Sequence, residues 1–196
     1  MGVLSRSVDP VMPEKDSARD ARLVLRAQLG DRAALDTLLL RNQGWLKGYL
    51  TRLLGNSTEA DDCHQDVLVI VVRKLALVAE PRWFRSWLYR VATREGLRRL
   101  RRTSRTRSLG EMEEAALPAA DLPERLAEDE RERLRTEVDA LPPNSRAVVV
   151  LHYVEDMSLA EVADVLGIPI GTTKSRLAYG LARLRAALGT SGRKRR

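Results

Sequence analysis

Thr172, Thr173, Lys174, Ser175 and Arg176 put hydroxyls, an ammonium and a guanidinium into five consecutive positions. That set breaks no bonds by itself. It suits the binding of nucleic acid, where cations meet phosphates and a guanidinium or hydroxyl meets a base edge. Tyr179 follows one turn later. A second set lies in RWFRSWLYRVATREGLRRLRRTSRTR, residues 82–107. Trp83, Phe84, Trp87 and Tyr89 make up half of a complement of three Trp, four Tyr and one Phe. Arg90, Arg94, Arg101 and Arg105 recur along one side of a helix, with Arg98 beside them, while Phe84, Leu88 and Val91 face the other way. Cations beside flat rings fit a backbone with unstacked bases: charge holds phosphates and rings receive bases. A plain solvated face is the rival, but like charges one turn apart repel, and only Glu95 interleaves. Trp83 and Trp87 lie close to the arginine side. For Trp87 the core and the single-strand face both stay open.

The elements that position the first set are two helices joined by a corner, SLAEVADVLGIPIGTTKSRLAYGLARLRAAL. Ser158 and Glu161 have capping-box spacing. Leu159, Val162, Ala163 and Leu166 share one face. Gly167 suits a left-handed stop, and Pro169 cannot continue the helix. The second helix buries Leu177, Leu181, Leu184 and Leu188 and shows Lys174, Ser175, Arg176, Arg183 and Arg185. A small residue, a glycine corner and a cationic second-helix start are the pattern of a helix-turn-helix, whose second helix enters the major groove. An ordinary helical hairpin inside a larger core is the blander alternative.

The whole chain fits this. Its 34 Lys and Arg against 27 Asp and Glu give a net +7 and favour a polyanionic partner. A hydrophobic content of 44% supports a packed core. The one cysteine, Cys63, rules out an internal disulfide framework and fits a reducing compartment. The first twenty residues lack a signal-peptide core, and the longest aliphatic run, Val67 to Val72, is too short to span a bilayer. A cytoplasmic protein without membrane insertion is expected. Cys63 and His64 adjoin but have no second pair at zinc spacing, so no metal and no cofactor are expected. Cys63 reads as a buried apolar group and His152 as a packed residue. No nucleophile–base motif or phosphate loop appears, which argues against an enzyme.

Periodicity and stop signals give an all-α fold of two small helical domains joined by a flexible linker, the C-terminal one a helix-turn-helix. Residues 1–16 form a flexible tail. Residues 17–102 hold four helices: Ser17–Leu29; a long one capped by Asp31 and stopped by Gly55 and Asn56; Ser57 to about Glu80, broken by Pro81; and Arg82–Arg102. A strand competes at Val67–Val72, but helix-forming flanks favour the helix. Residues 103–123 are a linker turning from arginine to acid. Residues 124–190 hold a helix ending near Ala140, another over Asn144–Val154 and the terminal pair. Residues 191–196 are a frayed basic tail.

Two DNA-reading helices on one tether resemble bacterial RNA polymerase sigma factors of the small extracytoplasmic-function (ECF) group within the sigma-70 family. DDCHQDVLVIVVRKL resembles the family's polymerase-docking helix, FRSWLYRVATREGLRRLRR its promoter-melting helix, and LPPNSRAVVVLHYVEDMSLAEVADVLGIPIGTTKSRL its C-terminal domain. The likeness covers most of residues 17–188. It implies that Asp62, Gln65 and Asp66 dock on the clamp helices of the polymerase largest subunit, the flap being the C-terminal domain's counterpart. The turn from Leu77 to Arg82 would hold a flipped base of the minus-ten element. Trp83, Trp87, Arg90, Arg94, Arg98 and Arg101 would meet the melting strand. Thr172, Thr173, Lys174, Ser175, Arg176 and Tyr179 would read the minus-thirty-five duplex. The linker would thread the polymerase channels, and a sequestering anti-sigma factor is an expected partner of a chain monomeric when free. The chain departs from the family pattern at Arg94, usually Asn; at Arg98, often Asp; at Thr173, usually Val; and at Tyr179 and Gly180, usually an Arg-Ala pair. The rival reading is a free-standing helix-turn-helix regulator that acts without polymerase; a protein-interaction module is a third.

Overall fold

The computed structural model describes residues 14–105 and 128–189; the tail ahead of them, the acid-rich linker and the basic end lie outside the described residues. The described residues are helical, with no strand among them. α1 spans Glu14–Gln28, α2 Arg32–Leu54, α3 Ser57–Lys74 and α4 Phe84–Arg105. α5 spans Glu128–Asp139, α6 Pro143–Val149, α7 Leu159–Leu166 and α8 Ile170–Gly189.

Caps fix the boundaries. Asp31 accepts the Ala34 N–H at 3.0 Å, and Gly55 turns left-handed at φ 68° to close α2. Asn56 then caps α3 by accepting the Glu59 N–H. The hydrogen bond from Ala34, and then the Arg26 guanidinium, hold the Asp31 carboxyl below the usual carboxylate range. A depressed folded-state value means that its stabilising contribution is present above the ordinary carboxylate pKa and fades as pH falls toward the depressed one. Asp31→Asn should therefore flatten the acid limb of the melting temperature against pH; an unchanged limb would remove Asp31 from it.

α1 to α4 pack around Val24, Leu38, Leu46, Tyr49, Leu53, Val67, Phe84 and Leu88, all 2% exposed or less. α2 and α4 approach closely at Gly96, where a Cβ would lie 2.6 Å from Leu53 Cδ2. α5 to α8 pack around Ala147, Val148, Leu151, Val162, Leu181 and Leu184. The two sets meet, and one buried cluster runs through both. Glu155, its side chain 7% exposed, accepts from Arg52 at 2.5 Å and from the Tyr89 hydroxyl at 2.6 Å. Arg146 reaches back to donate to the Leu53 carbonyl at 3.2 Å. The linker's composition predicts a tether between domains; it carries no sign of this shared core.

Two expected helices end early. The third stops at Lys74, not near Glu80, and gives way to a 3-10 turn over Leu75–Leu77. Leu75 and Val78 keep their side chains in the core there, continuing the buried stripe of Cys63, Val67 and Val71, while Ala76 and Leu77 between them are exposed. The sixth is α-helical only to Val149 and widens into a π turn over Val150–Val154. Asp156, at φ 55°, then reverses the chain toward α7.

Candidate nucleic-acid interface

The corner before α8 is built as its sequence suggests. The Ser158 N–H donates to Glu161 Oε2 at 2.8 Å and the Glu161 N–H to Ser158 Oγ at 3.3 Å, closing the capping box. Gly167 takes φ 65°, and α8 starts beyond Pro169. Val162, Ala163, Leu177 and Leu181 lock α7 against α8. Lys174 is exposed, and Thr172, Ser175, Arg176 and Tyr179 are half-buried along the outer face. Ser175 donates to the Thr172 carbonyl at 3.0 Å, which leaves its oxygen to accept. Thr173 is a correction: it is fully buried, and its hydroxyl donates to the Pro169 carbonyl at 3.3 Å. It serves the corner, at a position where the resembling family carries an apolar residue, and that substitution was the signal in the sequence.

On α4, Arg90, Arg94, Arg98 and Arg101 are all exposed, while Phe84 and Leu88 are buried beneath them. Arg98 pairs with Glu95 on its own helix, so the row's uncommitted charge centres on the other three. Trp87 packs against the core 6.0 Å from Phe84 and, like Trp83, is half-buried. Trp83 is half-buried with the Arg82 guanidinium 5.6 Å over its ring. Tyr89 is drawn inward instead, stacked 4.6 Å from Trp45 and bound to Glu155. Arg85 lies 4.4 Å over Trp45, a placement with no signal in the local pattern.

α3 turns Asp62, Gln65 and Asp66 outward together, and Val69 and Val72 extend the same side, about half exposed. Arg99 of α4 reaches over to Asp66 and to Glu59, so Asp66 is already partnered. Cys63, beneath, is buried, and that burial pushes its thiol up to about 11. A thiol held protonated is a poor nucleophile. Burial likewise holds the neighbouring His64 imidazole below its ordinary value. Among the described residues no group of three His, Cys, Asp or Glu is placed to hold a metal. No helix among them is long and apolar enough to cross a membrane.

Comparison with known proteins decides the family. Sigma-70 region 2 matches residues 38–106, and Sigma-70 region 4 matches residues 131–184. The chain belongs to the sigma-70 family of RNA polymerase sigma factors. Its relatives place this sigma factor in the ECF group. It is 34% identical over 172 residues to the ECF sigma factor SigM of Mycobacterium tuberculosis, covering 87% of this chain and 85% of SigM. It is 30% identical over 170 residues to the sigma-H factor of Pseudomonas aeruginosa, covering 81% and 88%. The match to SigE of Mycolicibacterium smegmatis, 34% over 163 residues, covers 80% of this chain and 63% of SigE. Among solved structures, CnrH in complex with the cytosolic domain of CnrY superposes with a TM-score of 0.63 at 27% identity, over 88% of this sigma factor and 98% of CnrH. The region 2 match begins within α2 and runs to the end of α4, leaving α1 outside it, and the region 4 match begins within α5 and ends within α8.

Proposed function

We infer that this sigma factor binds core RNA polymerase, carries it to promoters and helps open the duplex there. The observation that carries the reading is that each matched region exposes its own cationic face, the α4 row in region 2 and the α8 start in region 4. Residues 17–102 serve as the docking and melting module and residues 124–190 as the duplex-reading module, with 103–123 between them. Arg90, Arg94 and Arg101 hold the melting strand's phosphates, and Trp83 and Trp87 offer ring surface to unstacked bases. The turn from Leu77 to Arg82 receives one flipped base of the minus-ten element. Its Leu77, Ala79 and Glu80 are exposed. Thr172, Lys174, Ser175, Arg176 and Tyr179 face the minus-thirty-five groove. The sigma factor adds no catalytic step of its own and works in the cytoplasm beside its polymerase. An anti-sigma partner belongs to this reading through the family; the relative CnrH was solved bound to a protein domain, that of CnrY.

Docking falls to the outer side of α3, where Asp62 and Gln65 supply polar contacts and Val69 and Val72 apolar area. Asp62→Ala with Gln65→Ala should weaken capture by core polymerase by about tenfold or more, the scale of a central interface pair. The melting temperature should hold, because both side chains face water. Unchanged capture would remove this face from docking. Asp66→Ala adds the loss of the Arg99 pair, so its effect on folding is measured separately. On α8, Arg176→Ala should cost about 1–3 kcal/mol at one base pair if the guanidinium reads it. Equal loss on scrambled duplex would make Arg176 a phosphate contact.

A further inference from the structure

The segment between α3 and α4 has neither a long helix nor a sheet to hold it, yet it is anchored from outside. Gln28, the last residue of α1, donates from its carboxamide nitrogen to two carbonyls at once, Leu75 at 3.0 Å and Val78 at 2.9 Å. A carboxamide has only two N–H groups, and both are spent on this turn. The Leu75 carbonyl also accepts the Val78 N–H at 3.1 Å, so the turn and its clamp share an acceptor. Leu75 and Val78 bury their side chains, while Ala76, Leu77, Ala79 and Glu80 between and beyond them point to solvent. At the other end of α1, the Ser17 hydroxyl donates to the Arg82 carbonyl at 3.4 Å. Ser17 and Gln28 are separated by about 16 Å of helix rise. One rigid helix therefore touches the segment at its start and at its finish.

We propose that Gln28 is a positioning residue for base selection: its carboxamide sets the backbone geometry of the turn from Leu77 to Arg82 and thereby the choice of the flipped minus-ten base. The proposal rests on the base-receiving role of that turn and names what controls it. A site that discriminates bases must hold its contacts to within a fraction of an ångström, and a turn of exposed residues does not do so unaided. Gln28 touches no DNA in this arrangement. Its effect passes through the Leu75 and Val78 carbonyls.

The test uses full-length chain bound to core polymerase and a promoter library randomised across the melted minus-ten segment. Gln28→Glu keeps the shape but turns a carboxylate oxygen toward two carbonyl oxygens; Gln28→Met keeps the length and removes both donors. Both should shrink the ratio of best to worst base at one position by about tenfold, the size of one mismatch penalty. Capture by core polymerase and binding to minus-thirty-five duplex should not change. A merely structural role lowers the active fraction and so scales every promoter alike, leaving that ratio fixed. An unchanged ratio in Gln28→Met, with transcription intact or uniformly reduced, overturns the proposal. Ala79→Gly and Glu80→Gln separate it from its premise. If these exchanges shift the preference and the Gln28 variants do not, only the role of Gln28 falls. If neither shifts it, the turn reads no base and both fall.

Discussion

Changing Arg90, Arg94 and Arg101 together to Gln should flatten the salt dependence of binding to melted promoter strand by about two units of slope, at roughly 0.7 for each phosphate no longer neutralised. Affinity at low salt should fall by about tenfold to a hundredfold, because three charge-assisted hydrogen bonds disappear at once. The fold should not suffer. All three side chains are exposed, glutamine is a good helix former, and Arg90 and Arg94 repel one another one turn apart. Binding to minus-thirty-five duplex should be untouched, since α8 lies on the other module. A titration of fluorescent single strand against salt measures the slope. An unchanged slope would make the row a solvated face. Arg98→Gln alone should do less, because Arg98 is already paired with Glu95.

Glu155→Ala should cost about 1–3 kcal/mol of folding stability, chiefly by stranding the Tyr89 hydroxyl. Tyr89 is 3% exposed, and the Glu155 carboxylate is the acceptor of its hydroxyl proton. Burial, and then the charge of Glu155, hold that phenol well above its ordinary pKa, so it stays a donor across the working range. Arg52 also loses its partner, but at 42% exposure it recovers most of its solvation in water. Glu155→Gln retains an acceptor and should cost less than Glu155→Ala. Tyr89→Phe removes both the donor and the need for an acceptor. Combining it with Glu155→Ala should therefore cost less than the sum of the two single changes. Urea unfolding of the four variants reads this coupling. Additive costs would mean that the Tyr89–Glu155 hydrogen bond contributes no coupling of its own.

Short-range patterns carried most of the fold. The capping box at Ser158, the Gly167 corner, the Asp31 cap and the four-three-four spacing of Leu177, Leu181, Leu184 and Leu188 are local, and local chemistry decides them. Of the last set only Leu188 falls short of full burial, near the end of its helix. The exposed arginines of α4 and the outward Asp62 and Gln65 were legible for the same reason: helical period sets facing. The illegible contacts join residues far apart in the chain. Gln28 meets Leu75 and Val78, Arg52 meets Glu155, and Arg99 meets Asp66, with no periodicity to announce any of them. Thr173 was legible too. It lies four residues before Leu177, so helical period sets it on the buried stripe with Leu177, Leu181 and Leu184, although its hydroxyl suggests the exposed polar set beside it. Val69 and Val72 are apolar, yet α3 shows them to solvent, where apolar area is of use to a docking partner.

Run-off transcription by purified core polymerase, with and without this sigma factor, on a library of randomised promoters tests the central claim most directly. The expected result is new transcripts from a small class of templates that share two separated sequence elements. The Arg176→Ala variant should relax selection of the upstream duplex element only, and the α4 triple variant should lose melting at the downstream one. Transcripts no different from those of core polymerase alone, together with tight binding to duplex in its absence, would contradict the claim and leave a free-standing DNA-binding regulator.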